Sequence, residues 1–518
     1  MTAGVTTRRR PAPWYLWALA LVVLAPALVP FLHLAARAAA AGPGALETVL
    51  SARTARLLAN TGLLVALVTA SAAVIGIAAA WLTERTDLPG RRIWRVLVAL
   101  PLVVPSYVIA LAIISAGAPS GPLTEWVTLP RLRGLPGAWL ALTISTYPLV
   151  YLVTAAALRR LDPAHEEAAR SLGAGPRRVF RTIVLPQLRP AVASGALLAA
   201  LYTLSDFGAV SLMRFDVLAR MVYAQYQGRL DRTPAAVLAV LLVLVALAIL
   251  LVEQRSRGRA AYYSRSVVRT ARPVALGGRA RIAAWAGLAG LATAALLLPV
   301  GTLAAWVLDA PPGRPGPTVP WGAIAGSLAA ALLTALVAAS LSVPVGALVV
   351  RSGRAAWVER AAYAAYALPH IVVALGMVLL AARYLGGLYQ SLVLLVLVCA
   401  SIFFAQALGA SRAALLQVDP AVEEASRSLG RGPLATLSKV TLPISRRGVA
   451  AGALLVFLTT MKELPATLLL RPTGFDTLAV DVWAAADELM YARAAAPALL
   501  LVAVSVIPMM LLADRADR

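Results

Sequence analysis

Lysine is almost missing from this sequence, cysteine occurs once, histidine three times, and only 14% of the residues are charged. Each shortage closes off a class of protein. A single cysteine, Cys399, permits no disulfide within the chain, so a disulfide-stapled secreted scaffold is excluded. Its place in an apolar run reads as a small buried hydrophobe. His33, His165 and His370 stand far apart, and no His-x-x-x-His pair occurs, so no tight metal centre is expected. A phosphate-binding loop needs Gly-Lys-Ser/Thr. The two lysines, Lys439 and Lys462, follow Ser438 and Met461, so the chain does not bind nucleotide by that route. No convergent cluster of His, Cys or carboxylates points to a catalytic centre, and none is assigned.

What fills the chain instead is apolar. Hydrophobic residues make up 60% of the 518, with a mean hydropathy of +0.81. Soluble domains run nearer 45–50% apolar and about 25% charged. The excess comes in runs of about 20 residues, the length that crosses roughly 30 Å of hydrocarbon. A soluble enzyme and a disordered chain are excluded. An all-α membrane protein of about twelve helices is expected. The spans read as Trp14–Ala36, Leu57–Leu82, Val96–Ala116, Ala138–Leu158, Ala191–Met213 and Pro234–Val252. Six more follow at Ile282–Leu308, Gly326–Val350, Ala361–Ala382, Leu388–Gly409, Val449–Leu470 and Ala494–Leu512. Pro101 with Pro105, and Pro344 with Pro369, are expected to kink or break their spans.

The net charge is +24. In a soluble protein this would suggest nucleic acid, but here the positive-inside rule accounts for it, and the partner is lipid. With the N-terminus in the cytoplasm, 33 of the 47 Lys and Arg fall in cytoplasmic segments and 13 on the other side. Both termini are therefore expected inside. Met1–Arg10 precedes a run too long for a signal peptide and reads as the lead of an uncleaved first span.

The chain contains itself twice. Asp162-Pro163-Ala164-His165-Glu166-Glu167-Ala168-Ala169-Arg170-Ser171-Leu172-Gly173 returns 257 residues later as Asp419-Pro420-Ala421-Val422-Glu423-Glu424-Ala425-Ser426-Arg427-Ser428-Leu429-Gly430. Carried on to Leu185-Pro186 and Leu442-Pro443, 14 of 25 positions match. Each copy lies between the fourth and fifth spans of its half. The halves then run the same way through the membrane, as a parallel duplication. The division is 1–252, a basic linker 253–281, and 282–518. The linker carries eight arginines and no lysine, and reads as a solvated segment held near anionic lipid.

Within each copy, Asp162 and Asp419 are expected to cap a short helix with Pro163 and Pro420 at its first position. Glu166 and Arg170, like Glu423 and Arg427, are spaced to pair on a helix. Gly173 and Gly430 are expected to end it in a left-handed turn.

The pattern Glu167-Ala168-Ala169, Gly173, Ile183-Val184-Leu185-Pro186 resembles the cytoplasmic signature of permease subunits of ATP-binding-cassette importers. Its second copy, Glu424-Ala425-Ser426, Gly430, Val440-Thr441-Leu442-Pro443, departs by Ser for Ala and Val for Ile. The resemblance implies two tandem six-helix type I permease domains. It implies a coupling helix in each half, with Glu166, Glu167, Ala168, Ala169 and Gly173 in one and Glu423, Glu424, Ala425, Ser426 and Gly430 in the other. It further implies two copies of a separate ATPase subunit, an extracytoplasmic substrate-binding protein and a place in the bacterial inner membrane. The chain itself would bind no cofactor and would not be an enzyme, ATP being used by the partner. Leu204–Leu212 and Lys462–Pro472 resemble the ferric-iron permease group, with thiamine or phosphonate import as alternatives. An ion-coupled secondary transporter would also carry repeats and buried charges, but the cytoplasmic repeat argues against it.

Few ionisable residues lie within spans. Asp206 aligns with Glu463 at the same offset of 257, and Lys462 adjoins Glu463. A charge at the bilayer centre costs at least about 2.5–3.5 kcal/mol, so these groups face the bundle interior or water. They line the translocation path, or they hold helices together. Lys462 and Glu463, about 100° apart on a helix, are not expected to face the same way.

Overall fold

A computed structural model of the protein describes residues 13–118, 130–228, 231–256, 273–309 and 318–516. The leading Met1–Arg10 and most of the 253–281 linker lie outside them. The described residues are almost wholly helical, and none forms a named strand. Among the described residues nine helices are long and apolar enough to cross a membrane, and two further pairs are bent by more than 40° at a short break. The twelfth expected span falls in the helix Tyr491–Ala516.

Prolines decide where the chain breaks. In the third span, Arg91–Val103 and Ser106–Ala116 meet at 93°, with Pro105 as N-cap of the second piece. In the ninth, Ala356–Ala367 and His370–Tyr384 meet at 96°, with Pro369 in the same role. A proline here lacks the N–H that would continue the ladder, and its ring pushes the preceding residue out of the helical region. Pro344 behaves otherwise, because the helix Trp321–Arg351 runs through it without interruption. The fifth and eleventh spans, expected to be continuous, are interrupted as well, the fifth without proline and the eleventh with Pro465 at the first position of its second piece. Leu185–Ser205 gives way to Gly208–Leu212, and Leu442–Met461 to Pro465–Leu470.

The chain forms two compact units. One comprises Ala41–Val319 with Val482–Val502. In it the second-span helix, Ala52–Arg85, packs on the fourth, Gly134–Arg160, and the fifth, Leu185–Ser205. Gly76 permits this, since a Cβ there would lie 2.8 Å from the Tyr151 backbone. The helix Leu298–Leu308 lies against Ser106–Ala116, and Trp285 meets Trp94 edge-on at 4.8 Å. The other unit comprises the residues to Ala40, Pro320–Asp481 and those from Ala503. Here Trp14–Ala40 packs on His370–Tyr384, Trp321–Arg351 and Leu392–Leu415. Ala20, Val23 and Leu24 enter a core with Val345, Leu348, Phe404 and Leu408. Gly376 is required there, because a Cβ would lie 2.6 Å from the Pro30 carbonyl oxygen. The compact units are therefore not the contiguous halves of the sequence repeat. The first span of each half belongs to the unit built by the rest of the other.

Of the basic linker only its ends are described. Its last residues are pinned to the end of the second span. The Asp87 carboxylate accepts from the Leu276 backbone N–H at 2.9 Å and from Arg281 at 2.9 Å.

Candidate functional site

The repeated loops fold alike. The first forms a helix over Ala164–Ser171 and the second over Pro420–Ser428. Asp162 accepts from the Ala164 N–H at 3.0 Å, and Asp419 from the Ala421 N–H at 2.9 Å. Each bond removes one orphan donor of a helix start. Asp419 is the N-cap with Pro420 at the first position, as expected, whereas in the first copy Pro163 is itself the N-cap and Asp162 stands one residue before it. Gly173 and Gly430 have φ of 82° and 81°, the left-handed turn that ends each helix. A single π turn follows in both copies, Phe180–Val184 and Leu437–Thr441. The Leu-Pro of the repeat explains it. Pro186 and Pro443 have no N–H, and their rings crowd the carbonyl four residues back, so the turn widens.

Helical geometry divides the predicted coupling residues between two faces. Glu167, Ala168 and Gly173 are exposed, as are Glu424, Ala425 and Gly430. Glu166 and Glu423 are 3% and 6% exposed. Their carboxylates are spent within the protein. Glu166 Oε1 lies 3.1 Å from Arg85, and Oε2 accepts from Arg170 at 2.9 Å. Glu423 is paired with Arg351 and Arg427, and accepts from Thr441 Oγ1 at 2.7 Å. Sequence reasoning missed Arg85 and Arg351, each the last residue of its second-span helix. They stand 266 residues apart, out of the 257 register. It also missed Leu172 and Leu429, 88% and 80% exposed at the tips of the loops. These two do lie in the repeat, and an apolar residue kept in both copies of a polar loop was the signal available.

The Ser-for-Ala departure is explained by a second one. Ser426 is buried and its Oγ lies 3.2 Å from Thr436 Oγ1. The matching positions of the first copy are Ala169 and Val179, an apolar pair. Both members changed together, so the hydroxyls of the second copy satisfy each other.

The span interruptions form a second, duplicated arrangement. A break at membrane depth frees backbone N–H groups that no water reaches. In the fifth span Asp206 supplies the acceptor, taking the Ala209 N–H at 2.9 Å on Oδ1 while Oδ2 accepts from Ser106 Oγ. In the eleventh, Glu463 Oε1 takes the Ala466 N–H at 3.0 Å, and Oε2 lies 2.8 Å from His370 Nδ1. Ser106 and His370 each follow the proline that breaks the third or ninth span. One carboxylate per half therefore ties two broken spans together. Glu463 is buried and the adjacent Lys462 half-buried. Beside Asp206, Phe207 packs with Tyr223 at 4.8 Å and Trp483 at 6.0 Å. Among the described residues no three His, Cys, Asp or Glu side chains converge as metal ligands.

Comparison with known proteins adds the family. The model for binding-protein-dependent transport system inner membrane components matches residues 72–255 and 341–518. An Fe(3+)-transport system permease protein of Haemophilus influenzae is 32% identical over 512 residues, 97% of this chain and 98% of that protein. A sulfate transport system permease protein of Synechocystis is 29% identical over 195 residues, 35% of this chain and 71% of its own length. A ferric transport system permease protein of Actinobacillus pleuropneumoniae is 29% identical over 217 residues, 40% of this chain and 32% of its own.

Proposed function

We propose, from the premise that this chain belongs to the binding-protein-dependent transport system inner membrane component family, that it is the translocating subunit of an ATP-binding-cassette importer for ferric iron. The carrying observation is the pair of repeated helices with the same outward face. Glu167, Ala168, Leu172 and Gly173 in one, and Glu424, Ala425, Leu429 and Gly430 in the other, are presented to a partner. Two equal faces fit two copies of one ATPase, which docks at them from the cytoplasm and hydrolyses the ATP. Closure of the ATPase pair moves both helices and drives alternating access. A binding protein delivers cargo on the opposite side.

Iron is favoured over sulfate by extent. The likeness to the Haemophilus Fe(3+) permease runs end to end, whereas the sulfate permease matches about a third of the chain. Ferric iron is a hard cation that prefers oxygen ligands. Asp206 and Glu463 are placed on its path as passing contacts, with Lys462 beside them.

The test is uptake by vesicles holding this chain, its ATPase and a matching binding protein, supplied with ferric iron, sulfate, thiamine or a phosphonate. ATP-dependent accumulation of iron alone is expected. Accumulation of another cargo rejects iron and leaves the permease; uptake driven by an ion gradient without ATP rejects the importer. Protease cleavage within 253–281 only from the cytoplasmic face checks the orientation.

A further inference from the structure

Each repeated helix packs mainly on the short helix and π turn that follow it in the chain. These contacts are local and do not join the repeated helix to the second span. Among the described residues an ion pair in each half does. Arg85, 5% exposed, meets Glu166, 4% exposed, at 3.1 Å. In the other half Arg351 meets Glu423. In both, the arginine closes the second-span helix and the glutamate stands in the first turn of the repeated helix. The pairing suits both helix ends, since a cation is favoured at a C-terminus and an anion at an N-terminus. It also binds each glutamate from two sides, because Arg170 and Arg427 hold the second carboxylate oxygen from within the repeated helix.

We propose that Arg85 and Arg351 are positioning residues that make the second span of each half the element its repeated helix pulls. The inference rests on the reading of those helices as ATPase docking segments. The second-span helices are suited to the task, because each packs on the fifth or eleventh and the fourth or tenth spans of its own unit. A displacement of the repeated helix passed through the ion pair therefore reaches the helices that end at Asp206 and Glu463.

The two ties are unequal. Arg85 is enclosed, and the neighbouring Glu84 further knits the second-span end to Arg95 at 2.8 Å and Arg159 at 3.0 Å. Arg351 is 41% exposed, and Val350 stands where Glu84 would be. Glu423 instead has the additional donor Thr441. The first tie is the more enclosed, so removing Arg85 strips a buried carboxylate of a buried partner and has the larger effect.

The experiment uses the full chain reconstituted with its ATPase and binding protein, and reads cargo transported per ATP hydrolysed. Arg85→Ala and Arg351→Ala leave the outward docking face intact. They are expected to retain bound ATPase and hydrolysis while the transport-to-hydrolysis ratio falls, about tenfold or more for Arg85→Ala and less for Arg351→Ala. The charge exchange Arg85→Glu with Glu166→Arg is expected to recover part of the ratio that Arg85→Glu alone loses. An unchanged ratio in folded Arg351→Ala and Arg85→Ala complexes overturns the proposal. So does a parallel loss of ATPase binding, hydrolysis and transport in folded Arg351→Ala, which would mark a structural tie only. If the unmodified chain retains no ATPase, the docking reading itself has failed, and the two failures are thereby distinguished.

Discussion

His370 Nδ1 lies 2.8 Å from Glu463 Oε2, and Ser106 donates to Asp206 at the corresponding place in the other half. Both contacts join a span broken at Pro105 or Pro369 to a second broken span of the same half. The carboxylates have a structural task, since they cap freed backbone N–H groups. Asp206→Asn and Glu463→Gln test whether they also have a second one. Each amide keeps an oxygen for the Ala209 or Ala466 N–H. The folded yield is therefore expected to fall little, with a stability loss of about 1–3 kcal/mol. Cargo uptake per folded molecule is expected to drop at least about tenfold if the charge lines the path. Uptake that stays at the unmodified level would confine both residues to holding helices. Lys462→Met, which removes the adjacent charge of opposite sign, is expected to differ from Glu463→Gln in the same assay.

The loop tips give a cleaner separation of folding from coupling. Nothing lies within 4 Å of a Cβ placed on Gly173 or Gly430. Gly173→Asp with Gly430→Asp thus meets no clash inside the chain and costs only left-handed strain, about 1–2 kcal/mol each. Membrane insertion is expected to be intact. ATPase pull-down and cargo uptake should both fall sharply. Unmodified uptake by the double variant would remove these tips from the docking surface.

Ser426 and Thr436 predict a double-mutant cycle. Ser426→Ala alone leaves a buried Thr436 hydroxyl without its partner, at a cost of about 1–3 kcal/mol. Thr436→Val alone does the same to Ser426. The double variant restores the Ala–Val pair found in the first copy and is expected to recover most of the loss. Thermal unfolding in detergent measures the cycle, and simple additivity of the two costs would show that the hydroxyls do not rely on each other.

Asp87 predicts an acid-sensitive tether. The Leu276 N–H, followed by Arg281, holds its carboxyl below the usual 3.8. The sign follows from linkage: a depressed folded value stabilises above the unfolded pKa, and that gain is lost as pH falls through the folded value. Amide exchange at Leu276 is expected to be protected at pH 6 and to lose that protection below about pH 4, near the ordinary carboxylate range. Asp87→Asn should flatten this dependence. An unaltered profile in the variant would assign the protection to other contacts.

The duplication, the approximate spans and the loop caps were all legible in the residues. Each depends on local chemistry: apolar run length, a capping aspartate, a glycine with no Cβ to clash. Pro105 and Pro369 announced their breaks for the same reason, since a missing N–H acts wherever it stands. Pro344 did not break its helix, because neighbouring helices can re-satisfy a freed carbonyl in one place and not another. The break at Asp206 was hidden, because helical hydropathy continues across it and Ser106, distant in sequence, completes it, whereas Pro465 marks the break at Lys462–Leu464 and His370 completes it. The division of the repeated helices into an anchored and an exposed face likewise needed Arg85 and Arg351, which the repeat register does not align. Packing also decided that Trp14–Ala40 joins the unit of Pro320–Asp481. An apolar helix surface specifies burial in lipid or protein but not which neighbour. That choice lay with close contacts such as Gly376 against Pro30, which exist only once the chain is folded.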